Sequence, residues 1–278
     1  VHDLDDILEV ILDRAVAAGA SAADAVAVES ESESVGVRCG NVERVSEARQ
    51  KRVGLRVFVG RCSAVVSSAD LSAGSLARLA TDAVAFARVT APDPHAALPD
   101  PEDIIGDVPD LDLYDSAVEN VPTDQKIALA TEAEQAALDA DAAITNSEGA
   151  EFSGSSARIA YGSSDGFAGR FSSSRFSLQV VPVASRNGSM QRDYWYTAGR
   201  RFDQLDSPAA VGAEAARRTV RRLGARKVET CKVPVIFDPE SAASLLGHLA
   251  GAVSGSAIYR GTSFLRGKLG MPIAVPNV

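Results

Sequence analysis

His2, His95 and His248 are the only imidazoles in 278 residues, and they fall in a terminus, a proline-rich stretch and a patterned helix. A zinc hydrolase needs about three protein ligands that leave one coordination position open. No histidine here has a second three to five residues away, and no His-Glu-x-x-His pattern occurs, so the chain alone predicts no catalytic metal site. Serine is abundant, as in Ser153-Gly154-Ser155-Ser156 and Ser172-Ser173-Ser174, yet Gly-x-Ser-x-Gly is missing and such runs read as strand and turn surface. Cys231 as a nucleophile has only His248 near it in sequence, and reads instead as a small apolar residue. Gly162-Ser163-Ser164-Asp165-Gly166 reads as a hairpin turn and not as a phosphate loop.

The residue with most chemical interest, His248, sits in a helix predicted from Asp238 to Gly255. Asp238 is an N-cap, Pro239 the first helical residue and Glu240 an acid in the first turn. At about 100° per residue, Ala242, Leu245, Leu246, Leu249 and Val253 share one side, while Gly247, Gly251 and Gly255 form a second stripe. Interior glycine costs on the order of 0.5–1 kcal/mol relative to alanine, so this stripe implies either close packing or a remodelled site.

Composition bounds the rest. With 46% hydrophobic residues the chain can bury a substantial core. Thirty-seven acids against 28 Lys and Arg give a net charge of −9, which disfavours direct contact with nucleic acid or anionic lipid. The Arg217-Arg218, Arg221-Arg222 and Arg226-Lys227 pairs read as a solvated helix face. Three scattered cysteines without Cys-x-x-Cys spacing point to reduced thiols and a cytoplasmic protein. No apolar run approaches about 18 residues, so no membrane span is expected.

Helical periodicity predicts a helix capped by Asp3 and stopped by Gly19, a second after Ser72, a third from Thr123 through Lys126 to Ala140, and a fourth from Ser207 to Leu223 closed by Gly224. Strand patterns cover Ala25 to Ser30, Val35 to Cys39, Val42 to Ala48, Arg52 to Val59 and Cys62 to Ser67. A second set covers Glu151 to Ser156, Ala157 to Ser164, Gly166 to Ser174, Phe176 to Ser185 and Gln191 to Gly199. Thr90 to Pro122 reads as a long surface segment. The order predicts an α+β fold, helices packed on mainly antiparallel sheets, over residues 1–228. Residues 229–278, with expected strands Val233 to Phe237 and Met271 to Val278, bury too little to stand alone and read as the start of a β-rich domain.

Several stretches, in order, carry a resemblance that spans nearly the whole chain. They are Val53-Gly-Leu-Arg-Val-Phe58, Ser67-Ser-Ala-Asp-Leu-Ser72, Leu111-Asp-Leu-Tyr-Asp115, Glu148-Gly-Ala150, Ser164-Asp-Gly-Phe167 and Met190-Gln-Arg-Asp193. To these are added Val233-Pro-Val-Ile-Phe-Asp-Pro239, Leu245 to Gly255 and Tyr259-Arg-Gly-Thr-Ser-Phe-Leu-Arg-Gly-Lys-Leu-Gly270. Together they resemble the TldD/PmbA family, linked to modulation of DNA gyrase and related to metallopeptidases, and within it the PmbA (TldE) branch.

The resemblance implies a soluble dimer acting in proteolysis, in which a TldD-like subunit carries a His-Glu-x-x-x-His helix and the zinc. Laid on Leu245-Leu246, that motif puts its histidines at Gly247 and Ala252, its glutamate at His248 and its glycine at Gly251. These are degenerate positions, and no catalytic or metal-ligating residue is assigned. No cofactor is expected in this chain; zinc is expected only in the partner. The resemblance further implies an unfolded peptide substrate, for which the strands between Ser153 and Ser174 are either channel lining or plain surface. Two rival readings stay open: a homodimeric peptide- or protein-binding module without hydrolysis, and an active metallopeptidase with ligands beyond Val278. Family members continue past this point, so the chain is expected to stop early in its last domain, and at least a Met is expected before Val1. The acidic charge makes any tie to gyrase indirect.

Overall fold

The computed structural model describes residues 3–104 and 109–275 and divides into two compact units, residues 1–225 and 226–278. The first unit runs α1 (Leu4–Ala17), β1 (Ala22–Arg38), β2 (Asn41–Val59), β3 (Cys62–Ser68), α2 (Ala73–Ala87), α3 (Thr123–Asp139), β4 (Ile144–Ser163), β5 (Ala168–Arg186), β6 (Ser189–Arg192), β7 (Trp195–Gly199) and α4 (Pro208–Val220). Its strands form one antiparallel sheet in the order β3-β2-β1-β4-β5-β6, with β7 also paired to β5. The fold class is α+β, as the pattern predicts.

The strands expected as separate pieces are continuous. β1 joins Ala25 to Ser30 with Val35 to Cys39, and β2, β4 and β5 each fuse two expected segments. The polar middles that suggest breaks are explained by what lies across the ladder. Glu29 lies opposite Lys51 and Arg158 and pairs with both, at 3.5 and 3.1 Å, and Glu31 pairs with Arg49 opposite it at 2.9 Å. Glu33 faces Glu47 directly, a like-charge contact that the Lys126 ammonium, reaching Glu33 from α3, offsets. Burial lowers the pKa of that lysine.

Either side of this polar middle, alternate residues of the same strands enter two separate cores. Ala23, Ala25 and Ala27 of β1, Val53, Leu55 and Val57 of β2 and Ala160 of β4 pack under α1 and α2. Val35 and Val37 of β1, Phe152 of β4 and Phe176, Leu178 and Val180 of β5 pack under α3 and α4. The first pair of helices presents Ile7, Leu8, Ile11, Leu76 and Val84; the second presents mostly alanine, including Ala130, Ala133, Ala137 and Ala215. Alanine lets two helix backbones approach closely, and Gly212 carries this furthest: a Cβ there would lie 2.3 Å from the Ala133 carbonyl oxygen.

Local signals set the ends. Asp3 forms a capping box with Asp6, Ser207 caps α4, and Gly19 and Gly224 take positive φ after their helices. At the β1–β2 tip, Cys39 and Gly40 both have positive φ, and their N–H groups donate to the buried carboxylate of Glu134 at 2.9 and 2.8 Å. The described residues of the stretch from Thr90 to Pro122 are mostly irregular, broken by 3-10 turns at Pro101–Asp103 and Ser116–Glu119.

The second unit holds α5 (Pro239–Val253) and α6 (Gly255–Tyr259), and no strand among its described residues. Val233 to Phe237 is therefore not the strand expected; a strand needs a neighbour to satisfy its backbone, and none pairs with it here. Residues 271–275 are likewise irregular, and the rest of the expected Met271 to Val278 strand lies outside the described residues, as do Val1 and His2. The predicted helix ends two residues short of Gly255, because Ser254 leaves helical geometry and caps α6 through Ala257.

The contact at Gly212 yields a sharp expectation. Gly212→Ala gains about 1 kcal/mol of helix propensity but overpacks α4 on α3, and should lower stability by a net of about 1–3 kcal/mol. Gly74→Ala in α2, where a Cβ meets nothing, should be neutral or stabilising. Urea midpoints of the two variants decide the matter.

Candidate functional site

Three features of the described residues bear on function, and the first is α5. Asp238 accepts the Ser241 N–H at 2.9 Å with Pro239 at the first helical position, so the start read from sequence forms as expected. Gly247 and His248 lie exposed and Ala252 half-buried, and a Cβ built at Gly247, Gly251 or Gly255 meets no atom within 4 Å. Among the described residues nothing lies close enough to the glycine stripe to require it. The helix is tied down mainly at its far end, where Ser263 donates to the Ala252 carbonyl at 2.6 Å. The donor set at the degenerate positions does not fit zinc, since glycine and alanine offer no side-chain ligand and His248 stands alone. Among the described residues no group of three or more His, Cys, Asp or Glu could hold a metal ion. His95 is exposed in the loop after α2, and the three cysteines are free.

The second feature is the outer edge of β5. β7 covers this edge at Phe176–Val180 and β6 at Val183–Arg186, while residues 168–173 have no strand beyond them among the described residues. Where the covered part begins, the Ser174 N–H donates to the Leu113 carbonyl at 2.9 Å, so the segment ending at Asp115 touches the edge at one rung. Alternation along the ladder aims the main-chain groups of Arg170 and Ser172 in the same outward direction. A groove of about 550 Å³ lies there, lined by Pro109 to Tyr114 and by Arg170, Phe171 and Ser172.

Asp115 organises this edge. Its carboxylate accepts from the Ala117 and Phe202 N–H groups at 2.9 Å each, and those two bonds hold its pKa below the usual carboxylate range. Ser174, buried, accepts from the Asp115 N–H at 2.8 Å and donates to the Arg200 carbonyl at 2.7 Å. Phe202, so placed, meets Phe152 and Phe176 edge-on at 6.2 and 5.6 Å. Beside it, the Tyr114 hydroxyl donates to Glu119, which pushes its pKa up to about 12.

The third feature is the face of the sheet turned away from the helices. Ser30, Ser32 and Ser34 of β1 lie opposite Ala157, Ser155 and Ser153 of β4, and these in turn lie opposite Ser173, Arg175 and Ser177 of β5. The Ser153 to Ser174 stretch thus divides by parity between this open face and the polar middle beneath the helices. Three of the arginines in and just after α4 are engaged within the chain: Arg217 binds Glu214, Arg222 binds Asp193, and Arg218 stacks on Trp195 at 4.8 Å.

The chain matches three family models along its length: PmbA/TldA metallopeptidase domain 1 over residues 23–87, the central domain over 117–223 and the C-terminal domain over 230–278. It is 43% identical over 270 residues to the metalloprotease PmbA of Escherichia coli O157:H7, covering 96% of this chain and 60% of that protein. The chain belongs to the PmbA/TldD family.

A PmbA homolog from Haemophilus influenzae is 36% identical over 98% of the chain and 60% of its own length, so the chain spans about 60% of these PmbA relatives. Among solved structures, a "putative modulator of DNA gyrase" from Bacteroides thetaiotaomicron superposes with TM-score 0.88 at 26% identity over 97% of this chain and 61% of that one. TldE from Thermococcus kodakarensis shares the fold, with TM-score 0.78 at 15% identity over 94% of this chain and 58% of its own. Membership in the PmbA/TldD family accounts for the short motifs that composition leaves unexplained. Leu111 to Asp115 is the strap that meets β5 and orders Phe202. Glu148-Gly149-Ala150 is a bulge where a Cβ at Gly149, with φ +117°, would lie 2.8 Å from the Val37 carbonyl oxygen. Sequence reasoning missed the open edge of β5, since no local pattern states that a strand lacks a neighbour, and it missed Asp115 as an organiser.

Asp115→Ala removes both N–H contacts and frees Phe202, and should cost about 1–3 kcal/mol at neutral pH. Because the folded pKa is depressed, the stabilisation is complete above the unfolded value of about 4 and is lost as pH falls through the folded value. Denaturation curves of wild type and variant should therefore converge in acid.

Proposed function

We propose that this chain is a PmbA-like, non-catalytic subunit of a TldD/PmbA-type zinc peptidase, acting on unfolded peptides with a TldD-like partner. The observation that carries this reading is the side-chain chemistry of α5. Gly247 and Ala252 stand where the family helix has histidines, and His248 stands where it has glutamate. When bound by a partner, zinc supplies an activated water and polarises the scissile carbonyl.

This chain's contribution would be to hold the peptide. The edge at Ala168–Ser173, on which no further strand pairs among the described residues, supports that role, because an extended segment can add there as a further strand, main chain to main chain, with little sequence preference. Phe171 and Leu111 offer apolar contact to alternate side chains of such a segment. A cytoplasmic setting is supported by the three free cysteines, two of them exposed. Among the described residues no helix is long and apolar enough to cross a membrane.

The test is zinc analysis together with cleavage of an unfolded peptide, using the chain alone and co-purified with a TldD-like protein that carries the His-Glu-x-x-x-His helix. Zinc and cleavage are expected only in the presence of the partner, and cleavage should vanish when the partner's motif histidines are replaced. Stoichiometric zinc with cleavage by the chain alone would overturn the reading in favour of an active peptidase. Self-association with peptide binding, and no cleavage even with the partner, would make the chain a binding module.

A further inference from the structure

The open face of the sheet holds a trough of about 530 Å³ whose walls include Ser30, Ser32, Ser155, Ser173, Arg175 and Arg200. The serines are small, so the trough stays open above the strands, and each hydroxyl can donate or accept a hydrogen bond. The two arginines set it apart. Nearby arginines are engaged: Arg158 with Glu29, Arg170 with Asp5, and Arg201 with Asp112 and Asp203. Arg175 and Arg200 are exposed, and neither side chain has an ion pair or hydrogen bond among the described residues. They come together because Gly199 pairs with Phe176 at the end of β7, which brings the next residue, Arg200, alongside Arg175. The one acidic residue lining the trough among the described residues, Glu31, has the core-facing parity and pairs with Arg49 at 2.9 Å.

We propose that this trough binds an extended polypeptide segment bearing Asp or Glu side chains. The guanidinium groups are planar forks that match a carboxylate in bidentate geometry. The serine floor supplies hydrogen-bond partners to a main chain lying across the strands. The net charge of −9 repels an acidic segment at a distance. Screening limits that repulsion beyond about 10 Å at moderate salt, so the two arginines dominate at contact. The inference deepens the peptide-holding role above by naming the charge class of the segment held.

The experiment is fluorescence anisotropy of labelled Gly/Ser peptides containing Glu, against the same peptides with Gln or Lys and against labelled oligothymidylate. It uses the whole chain without partner or zinc, so its failure leaves the partner-dependence of cleavage standing. The Glu peptide is expected to bind best and to weaken as salt rises. Arg175→Glu/Arg200→Glu should weaken it at least about tenfold, with Arg186→Glu in the β5–β6 turn as an unchanged control. Ser155→Trp, which fills the trough and keeps the charges, should also abolish binding, and circular dichroism checks that each variant folds. Equal affinity for Glu and Lys peptides, or undiminished binding by the double arginine variant, would overturn the proposal. Oligothymidylate binding that is stronger than the Glu peptide's and lost in the same variants would also overturn it, assigning the trough to a phosphate polymer.

Discussion

The first unit depends on a single constraint: β1 must serve two hydrophobic cores with one alternation. Ala23, Ala25 and Ala27 enter the core under α1 and α2, and Val35 and Val37 enter the core under α3 and α4, so every residue between them is committed to a face. Side chains alternate with period two, and a slip of one residue would withdraw these side chains from both cores at once and turn Asp24 and Val26 toward one and Ser34 and Gly36 toward the other. The pairs Glu29–Lys51, Glu29–Arg158 and Glu31–Arg49 sit on the core-facing parity but between the helix pairs. They contribute little energy individually where exposed. Their stronger effect is on register, since a slipped pairing would separate these charges as well as empty the cores.

The two cores reach the same end by different packing. Under α1 and α2, leucine, isoleucine and alanine of the helices meet alanine on β1 and valine and leucine on β2; under α3 and α4, alanine on the helices meets phenylalanine, valine and leucine on the strands. Large residues face small ones in both, which is how close packing is achieved without strain. The alanine-rich helices can approach one another until Gly212 touches the backbone of α3. Because both helix pairs lie on one face, no helix of the first unit covers the other among the described residues, and antiparallel sheets tolerate this when that face is polar. The serine rows of β1, β4 and β5 satisfy the condition and create the surface on which the arginines act.

This arrangement explains what was legible in the sequence. The helices of the first unit were readable because their signals are local: Asp3 with Asp6, Ser207 with Pro208, and glycines at 19 and 224. The strands were readable as strands but not as long ones, since Ser30 to Ser34 and Lys51 look like breaks until their cross-strand partners are known. Those partners lie as far as 129 residues away in the chain, as with Glu29 and Arg158. The same non-locality hid the edge of β5 and the role of Asp115, whose bond to Phe202 spans 87 residues. Val233 to Phe237 shows the converse. It has the composition of a strand, but composition cannot supply a neighbour, and Ile236 is left 97% exposed.

The helix α5 joins these points to function. Its start is set by Asp238 and Pro239, which act only on the first turn. The positions where the family motif would place its ligands lie about one and a half to three turns further on, and a Cβ built at Gly247 would meet no atom within 4 Å among the described residues. Replacing a histidine there with glycine carries little more than a propensity cost of a few tenths of a kcal/mol, and alanine at 252 is favourable on the same scale. A structural core position would have resisted such changes, because packing binds each residue to its neighbours. An exposed ligand position does not, so the frame of a metallopeptidase helix can persist after its ligands are gone. A helix that keeps its caps without the donors is then physically consistent with the proposed reading, in which family membership and the family's chemistry are separate.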